Sequence, residues 1–204
     1  MQYRFTQELA RFPSREFYED RLQTSISNSA EVLNVLGTSE FPWPRTEGVI
    51  VPTVFIQCGV EESMGGASKS NEGQAKVVQD VISLLVAGED ESSKNLQITV
   101  LSPYSKQVLH LKNSLRPPTP CHTIDSFQGR ESDIIIFSTV RCNAAGDIGF
   151  VEDRRRLNVM WTRAKLAVII IGDRRTMIET SGLWKRAIEA CTEVEIISES
   201  GEQQ

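Results

Sequence analysis

Arg4, Arg130, Arg141 and Arg163 stand in the sequence with no acidic partner obvious from their neighbours. A guanidinium is a planar, permanently charged fork that donates in pairs, which suits it to phosphate. In phosphoryl transfer, such an arginine supplied from a neighbouring domain steadies charge on the transferring group and contributes roughly 10³–10⁵ in rate. Two dense polar stretches hold most of this chemistry. In the first, Gln128, Gly129, Arg130 and Glu131 lead directly into the apolar run Ile134 to Val140. In the second, Asp153 to Lys165 precedes the apolar run Leu166 to Ile171. Ionic groups set at the ends of buried strands are costly unless they contact something, and open α/β sheets bind ligands at strand ends. The expected ligand is anionic, such as a phosphate chain. For Arg154, Arg155 and Arg156 the competing expectation is a solvated face, the usual fate of a charge run.

Other chemistries lack their residues. No GxxxxGK[ST] is present, and Gly65-Gly-Ala-Ser-Lys-Ser70 reads as a flexible loop. Ile169-Ile-Ile-Gly-Asp173 resembles a strand ending in a magnesium-binding acid, but without a phosphate loop Asp173 reads as a helix cap or turn residue. There is no nucleophile elbow, HExxH or GxGxxG. The cysteines, Cys58, Cys121, Cys142 and Cys191, form no CxxC pair, and His110 and His122 complete no zinc spacing, so no metal site is expected. Reduced cysteines, no signal peptide and no membrane-spanning run point to a soluble intracellular protein, nuclear or cytoplasmic. The net charge of -5 does not advertise nucleic-acid binding, although Arg154 to Lys165 offers a local basic face.

The elements that must position these groups alternate. Strands are expected near Thr53–Val60, Gln97–Tyr104, Ile134–Val140 and Leu166–Ile171. Helices are expected over Asn71–Ala87 and over Ser105–Leu115, the latter with Ser105 as cap and Val108, Leu109, Leu111 and Leu115 inward. A last helix is expected over Arg174–Cys191. Phe12-Pro-Ser-Arg-Glu-Phe-Tyr18 reads as a turn and a short helix capped by Ser14. Residues 24–48 read as an irregular loop, residues 61–70 as a Gly/Ser loop, Gly88–Asn95 as an acidic turn and residues 193–204 as a polar tail. Near-continuous apolar strands alternating with helices predict an α/β fold, a mainly parallel sheet covered on both faces.

Several blocks together resemble a known family. Thr123, Asp125, Phe127 and Gln128-Gly-Arg-Glu131 are similar to motif V of superfamily-one helicases of the up-frameshift and senataxin type. Gly149-Phe-Val-Glu-Asp-Arg-Arg-Arg-Leu-Asn-Val-Met-Trp-Thr-Arg-Ala-Lys165 resembles their motif VI. Gln2-Tyr-Arg4 with Phe12 to Tyr18 resembles the lead-in to their second RecA-like domain. Leu101-Ser-Pro-Tyr-Ser-Lys-Gln107 and Asn71-Glu-Gly-Gln-Ala75 match weaker blocks. The resemblance implies a RecA-like P-loop NTPase fold lacking its own phosphate loop, with residues 1–23 as lead-in and 49–192 as the domain body.

By that resemblance, Arg163 is the arginine finger and Arg4 a second phosphate contact. Glu131 binds the ribose, Tyr3 stacks on adenine, and Gln128 and Gly129 couple the nucleotide site to a nucleic-acid groove. Ser102 and Thr123 contact the strand backbone. The implied cofactor is ATP with Mg²⁺, the magnesium and most phosphate contacts coming from a first RecA-like domain supplied in cis or trans. The implied partner is single-stranded RNA or DNA, with no membrane. Phe5-Thr-Gln7 departs from the usual Met-His-Pro after Arg4, and Met160-Trp161 replaces a small or apolar pair before Thr162-Arg163. The expectation is the C-terminal motor half of a helicase, inactive alone. The alternative is a free-standing, non-catalytic module that binds nucleic acid or protein. A third, an unrelated doubly wound domain such as a methyltransferase, lacks its Gly-rich first turn.

Overall fold

The computed structural model describes residues 4–26, 29–63, 68–88 and 95–196. A six-stranded parallel sheet runs through the molecule in the order β5-β4-β6-β7-β3-β8. Its strands are β3 (Thr53–Gln57), β4 (Ile98–Ser102), β5 (Cys121–Thr123), β6 (Ser132–Ser138), β7 (Ala164–Gly172) and β8 (Thr192–Glu193). The two central strands, β6 and β7, are the richest in isoleucine. Consecutive residues of a strand face opposite sides, and both sides here are dry. Ile135 and Phe137 pack into one core with Val168 and Ile170. Ile134 and Ile136 pack into the other with Ala167, Ile169 and Ile171.

The first core is roofed by α1 (Gln7–Phe17), α5 (Arg154–Trp161), α6 (Arg174–Glu179) and α7 (Gly182–Glu189). The second is roofed by α2 (Ser29–Asn34), α3 (Glu72–Val86) and α4 (Ser105–Ser114). Five of these helix starts are chemically marked. Thr6, Asn71, Asp153, Asp173 and Ser181 cap α1, α3, α5, α6 and α7 with side-chain oxygens. Asp173 is thus a helix cap, which also accepts from Gln57 Nε2 at 2.9 Å.

The fold differs from the sequence expectation in local ways. Helix α1 begins at Gln7 and runs through Pro13, so Ser14 lies inside it rather than capping it. Pro13 has no N–H for the carbonyl of Leu9, four residues back. That carbonyl accepts instead from the indole Nε1 of Trp161 at 3.2 Å, across the core. Trp161, 1% exposed, also stacks at 4.4 Å on Phe12. The tryptophan that departs from the family pattern therefore satisfies the acceptor that the proline orphans.

The described residues of 24–48 are more ordered than an irregular loop. They hold α2, a 3₁₀ turn at Val35–Thr38 and β1 (Arg45–Thr46), which forms a hairpin with β2 (Val49–Ile50). Leu33, Leu36, Phe41 and Trp43 anchor the segment by burial. Ser105 is the first residue of α4 rather than its cap, and Leu109 is 61% exposed, not inward. The expected last helix breaks into α6 and α7 where Ser181 caps a new start. Glu193 belongs to β8, not to a tail. Most of the expected acidic turn and half of the Gly65–Ser70 segment lie outside the described residues.

Candidate functional site

Strands β6 and β7 begin side by side, with Ser132 paired to Ala164. The residues just before them, Glu131 and Arg163, are thereby brought together, and Ser132 N donates to Arg163 O at 3.1 Å. This is the amino-terminal edge of the sheet, not the carboxyl edge where such sheets hold a ligand of their own. Strand-end reasoning from sequence singles out these residues, but they lie at the opposite edge from the one it names.

Four charged side chains meet there. Arg4 Nε donates to Glu131 Oε2 at 2.7 Å, and Arg4 Nη1 donates to the carbonyl of Thr162 at 3.0 Å. Lys165 Nζ lies 3.2 Å from Glu131 Oε1. Glu131 thus has a cation on each oxygen, and the hydrogen bonds from Arg4 and then Lys165 hold its carboxyl below the usual range. Lys165 was not singled out by sequence; its only signal is its position two residues beyond Arg163.

Arg163 differs from the others. It is half-buried, and its Nε and Nη1 donate to the carbonyls of Val159 at 3.3 Å and Arg130 at 3.4 Å. Among the described residues it makes no ion pair. Burial first, and then the positive charge of Arg4, push its pKa below the usual arginine value. A half-buried guanidinium held by carbonyls and flanked by a second arginine is poised for an anion. Helix α5 sets this geometry: Asp153 caps its start, Leu157, Met160 and Trp161 bury one face, and the chain enters β7 directly after Arg163.

The loop from Ile124 to Glu131 links this edge to the opposite one. Strand β5 ends at Thr123, in register with Ser102 at the carboxyl edge. The chain then returns to the amino edge to begin β6. Ile124 and Phe127 are buried and pin the loop to the sheet, while Gln128, Gly129 and Arg130 are exposed. Gly129 has φ +83°, which disfavours any residue with a Cβ, and open space beside it. Thr123 is part-exposed, and its Oγ1 accepts from Ser126 N at 3.2 Å. Ser102 is fully buried, and its hydroxyl accepts from Tyr104 N at 3.4 Å. A direct contact from Ser102 to an external strand is thus not available in this conformation. Tyr3 lies outside the described residues.

The remaining arginines divide. Arg141 is not an open cation: it is 3% exposed and binds Glu62, Asp147 and the Tyr104 hydroxyl. Arg154 pairs with Glu16, and Arg156 forks onto both oxygens of Asp125. Arg155 is exposed, and so is Arg130.

A buried amide network beside the carboxyl edge escaped the sequence reading. Gln74 Oε1 accepts from Val140 N at 2.8 Å and from Ser138 Oγ at 2.9 Å. Asn71 Nδ2 donates to Val140 O at 3.0 Å. Together they hold Val140 at φ 71°, a costly conformation for a β-branched residue. The available signal was two amides opening an otherwise apolar helix face.

Among the described residues no group of three or more His, Cys, Asp or Glu could hold a metal ion. Nor is any described helix long and apolar enough to cross a membrane.

A six-stranded parallel sheet with helices on both faces gives the domain a RecA-like α/β fold. A family profile described as an AAA domain matches residues 1–175, and the chain belongs to that family. It is 35% identical over 201 residues to the Regulator of nonsense transcripts 1 homolog of Drosophila melanogaster, covering 92% of this chain and 16% of that protein. It is 35% identical over 200 residues to the ATP-dependent helicase NAM7 of Saccharomyces cerevisiae, covering 92% of this chain and 20% of that one. The chain therefore spans about a fifth or less of these relatives' length. The C-terminal domain of a possible DNA helicase from Lactobacillus plantarum WCFS1 superposes with a TM-score of 0.52 at 15% identity, covering 95% of this chain and 99% of that one. The chain thus resembles a segment of the up-frameshift-type helicases, and its fold is that of the helicase C-terminal domain it superposes on.

Proposed function

We propose that this chain is the second RecA-like half of an ATP-dependent nucleic-acid motor. The carrying observation is Arg163, half-buried beside Arg4 and without an ion pair among the described residues. The donor set fits a nucleoside triphosphate. Arg163 and Arg4 would meet its phosphates, and the carboxylate of Glu131 would accept from the ribose hydroxyls. Tyr3 would lie against the base. Magnesium would be held by acids of a first RecA-like domain. When bound, the triphosphate supplies the anhydride bond whose cleavage drives the motor.

The chain's own residues then have distinct tasks. Arg163 donates to the oxygens that gain charge, where a fixed donor in a dry cleft is worth most. Arg4 would donate to a phosphate, and Glu131 would accept from the ribose. Gln128 and Gly129, between this edge and Thr123, relay the change to the strand. Thr123 contacts the strand backbone, which reads no base sequence. RNA and DNA would both fit such contacts.

The purified chain alone should show no ATP turnover. Adding a separately supplied first RecA-like domain should produce it, and Arg163→Ala should remove roughly 10³-fold or more of that stimulated rate. Turnover by the chain alone, or stimulation indifferent to Arg163→Ala, would refute the proposal. The second result would favour a non-catalytic binding module.

A further inference from the structure

Phe150 is 58% exposed, yet the chain on each side of it is pinned. Ile148 and Val151 are buried, and Trp184 Nε1 donates to Val151 O at 2.7 Å. Gly149 has φ +52°, and a Cβ there would lie 2.3 Å from Arg141 Nη1 and 3.1 Å from the Tyr104 hydroxyl. Its N–H donates to Asp147 Oδ1 at 2.9 Å, while Asp147 Oδ2 takes Arg141 Nη2 at 2.9 Å. Arg141 in turn is clamped by Glu62, whose Oε2 also accepts from Cys142 N at 2.8 Å. A buried ion cluster of this kind is a weak source of stability, and fixing a geometry is its better use. Here it forms a pedestal that holds one large aromatic ring outward.

The ring's neighbours say what it faces. Tyr104, which follows β4, meets it edge-on with centroids 6.0 Å apart. The Arg156 guanidinium carbon lies 5.7 Å from its centroid. Arg156 is locked in place by Asp125, two residues beyond Thr123. Phe150 therefore stands at the carboxyl edge, beside the loop that carries Thr123. Arg155 and Arg156 supply positive charge there. Of the nearby acids, Asp125 is met by Arg156 and Asp153 by the N–H groups of Arg155 and Arg156, while Glu152 is exposed to solvent.

We propose that Phe150 is a stacking platform for one base of a single strand lying along Thr123. This rests on the strand-binding part of the function proposed above. Every base has a π-face, so the contact is indifferent to sequence, as backbone contacts at Thr123 would also be. A ring already fixed outward gives up little freedom on binding.

The test uses the whole chain with a single-stranded oligouridylate carrying 5-iodouridine. Ultraviolet crosslinking should yield a peptide containing Phe150. In anisotropy titrations at fixed salt, Phe150→Ala should weaken binding roughly 5- to 150-fold, the loss of one base stack. Phe150→Trp should retain binding, and both variants should melt as the wild type does. Crosslinks confined to other peptides, or undiminished affinity in Phe150→Ala, would overturn the platform and leave the strand groove standing. No salt-dependent binding by the wild-type chain would remove both.

Discussion

The pairing of Pro13 with Trp161 makes a sharp prediction, because it links a proline inside one helix to a side chain two residues before Arg163. Trp161→Phe keeps an aromatic ring against Phe12 but deletes the N–H that satisfies Leu9 O. Leu9 and Trp161 are each 1% exposed, so water cannot replace that donor. An orphaned buried acceptor costs about 1–3 kcal/mol. The smaller ring leaves a void that adds to the loss. Pro13→Ala restores a backbone N–H in the register of Leu9 O, which gives the carbonyl its ordinary helical partner. Urea unfolding of the wild type, both single variants and the double variant closes a cycle in which the void term cancels. Trp161→Phe should cost less in the Pro13→Ala background than in the wild type, by about 1 kcal/mol or more. For a domain of this length each kcal/mol is about 2–4 °C in Tm. Equal costs in the two backgrounds would show that the proline does not create the need for the indole.

Other perturbations separate stability from function. Glu131→Gln should change stability by under ~1 kcal/mol, since its pairs with Arg4 and Lys165 are solvent-exposed; thermal melting checks this, and ribose recognition should suffer far more. Glu62→Leu removes the buried partner of the Arg141 guanidinium and leaves it only the exposed Asp147, so it should cost up to about 3–5 kcal/mol by urea unfolding. Burial pushes the Glu62 carboxyl up, but hydrogen bonds from Arg141, Cys142 N, Asn143 and Lys69 push it further down, to a net value below 4.5. A carboxyl depressed in the folded state contributes stability above its unfolded pKa and loses it as pH falls through the folded pKa. The wild type should therefore weaken below about pH 4.5, and the same pH series on Glu62→Leu should show a shallower acid limb. Gly129→Ala, at φ +83° with open space around it, should cost about 1–2 kcal/mol through backbone strain alone, again read by urea unfolding.

The sheet was legible because β6 and β7 carry near-continuous apolar runs, Ile134–Phe137 and Leu166–Ile171, as strands covered on both faces do. Helix α3 was legible from its periodicity, although Asn71, read as its first residue, is its cap. Pro13 misled, because a proline normally ends a helix and the compensating indole lies far away in sequence. The α6–α7 break was hidden in a Thr-Ser pair that can sit inside a helix or start a new one. At the site, Arg163 and Glu131 were visible as charges abutting strands. Their convergence depends on parallel pairing of β6 with β7, which the sequence implied without stating the register. The opposite fates of Arg141 and Arg163 were illegible, since Arg141's partner Glu62 comes from a distant loop and no described acid pairs with Arg163. Ser102 was expected to contact a strand by resemblance alone, and the strand end buries it.

The central claim is that Arg163 meets charge that develops on a nucleotide held by another domain. The direct measurement is association of this chain with a separately supplied first RecA-like domain, by calorimetry, in ADP alone and in ADP with aluminium fluoride as a mimic of the transferring phosphoryl group. The account predicts that the mimic tightens association for the wild type and that Arg163→Ala abolishes the tightening while melting normally. Tightening of equal size in Arg163→Ala, or none in the wild type, would contradict it.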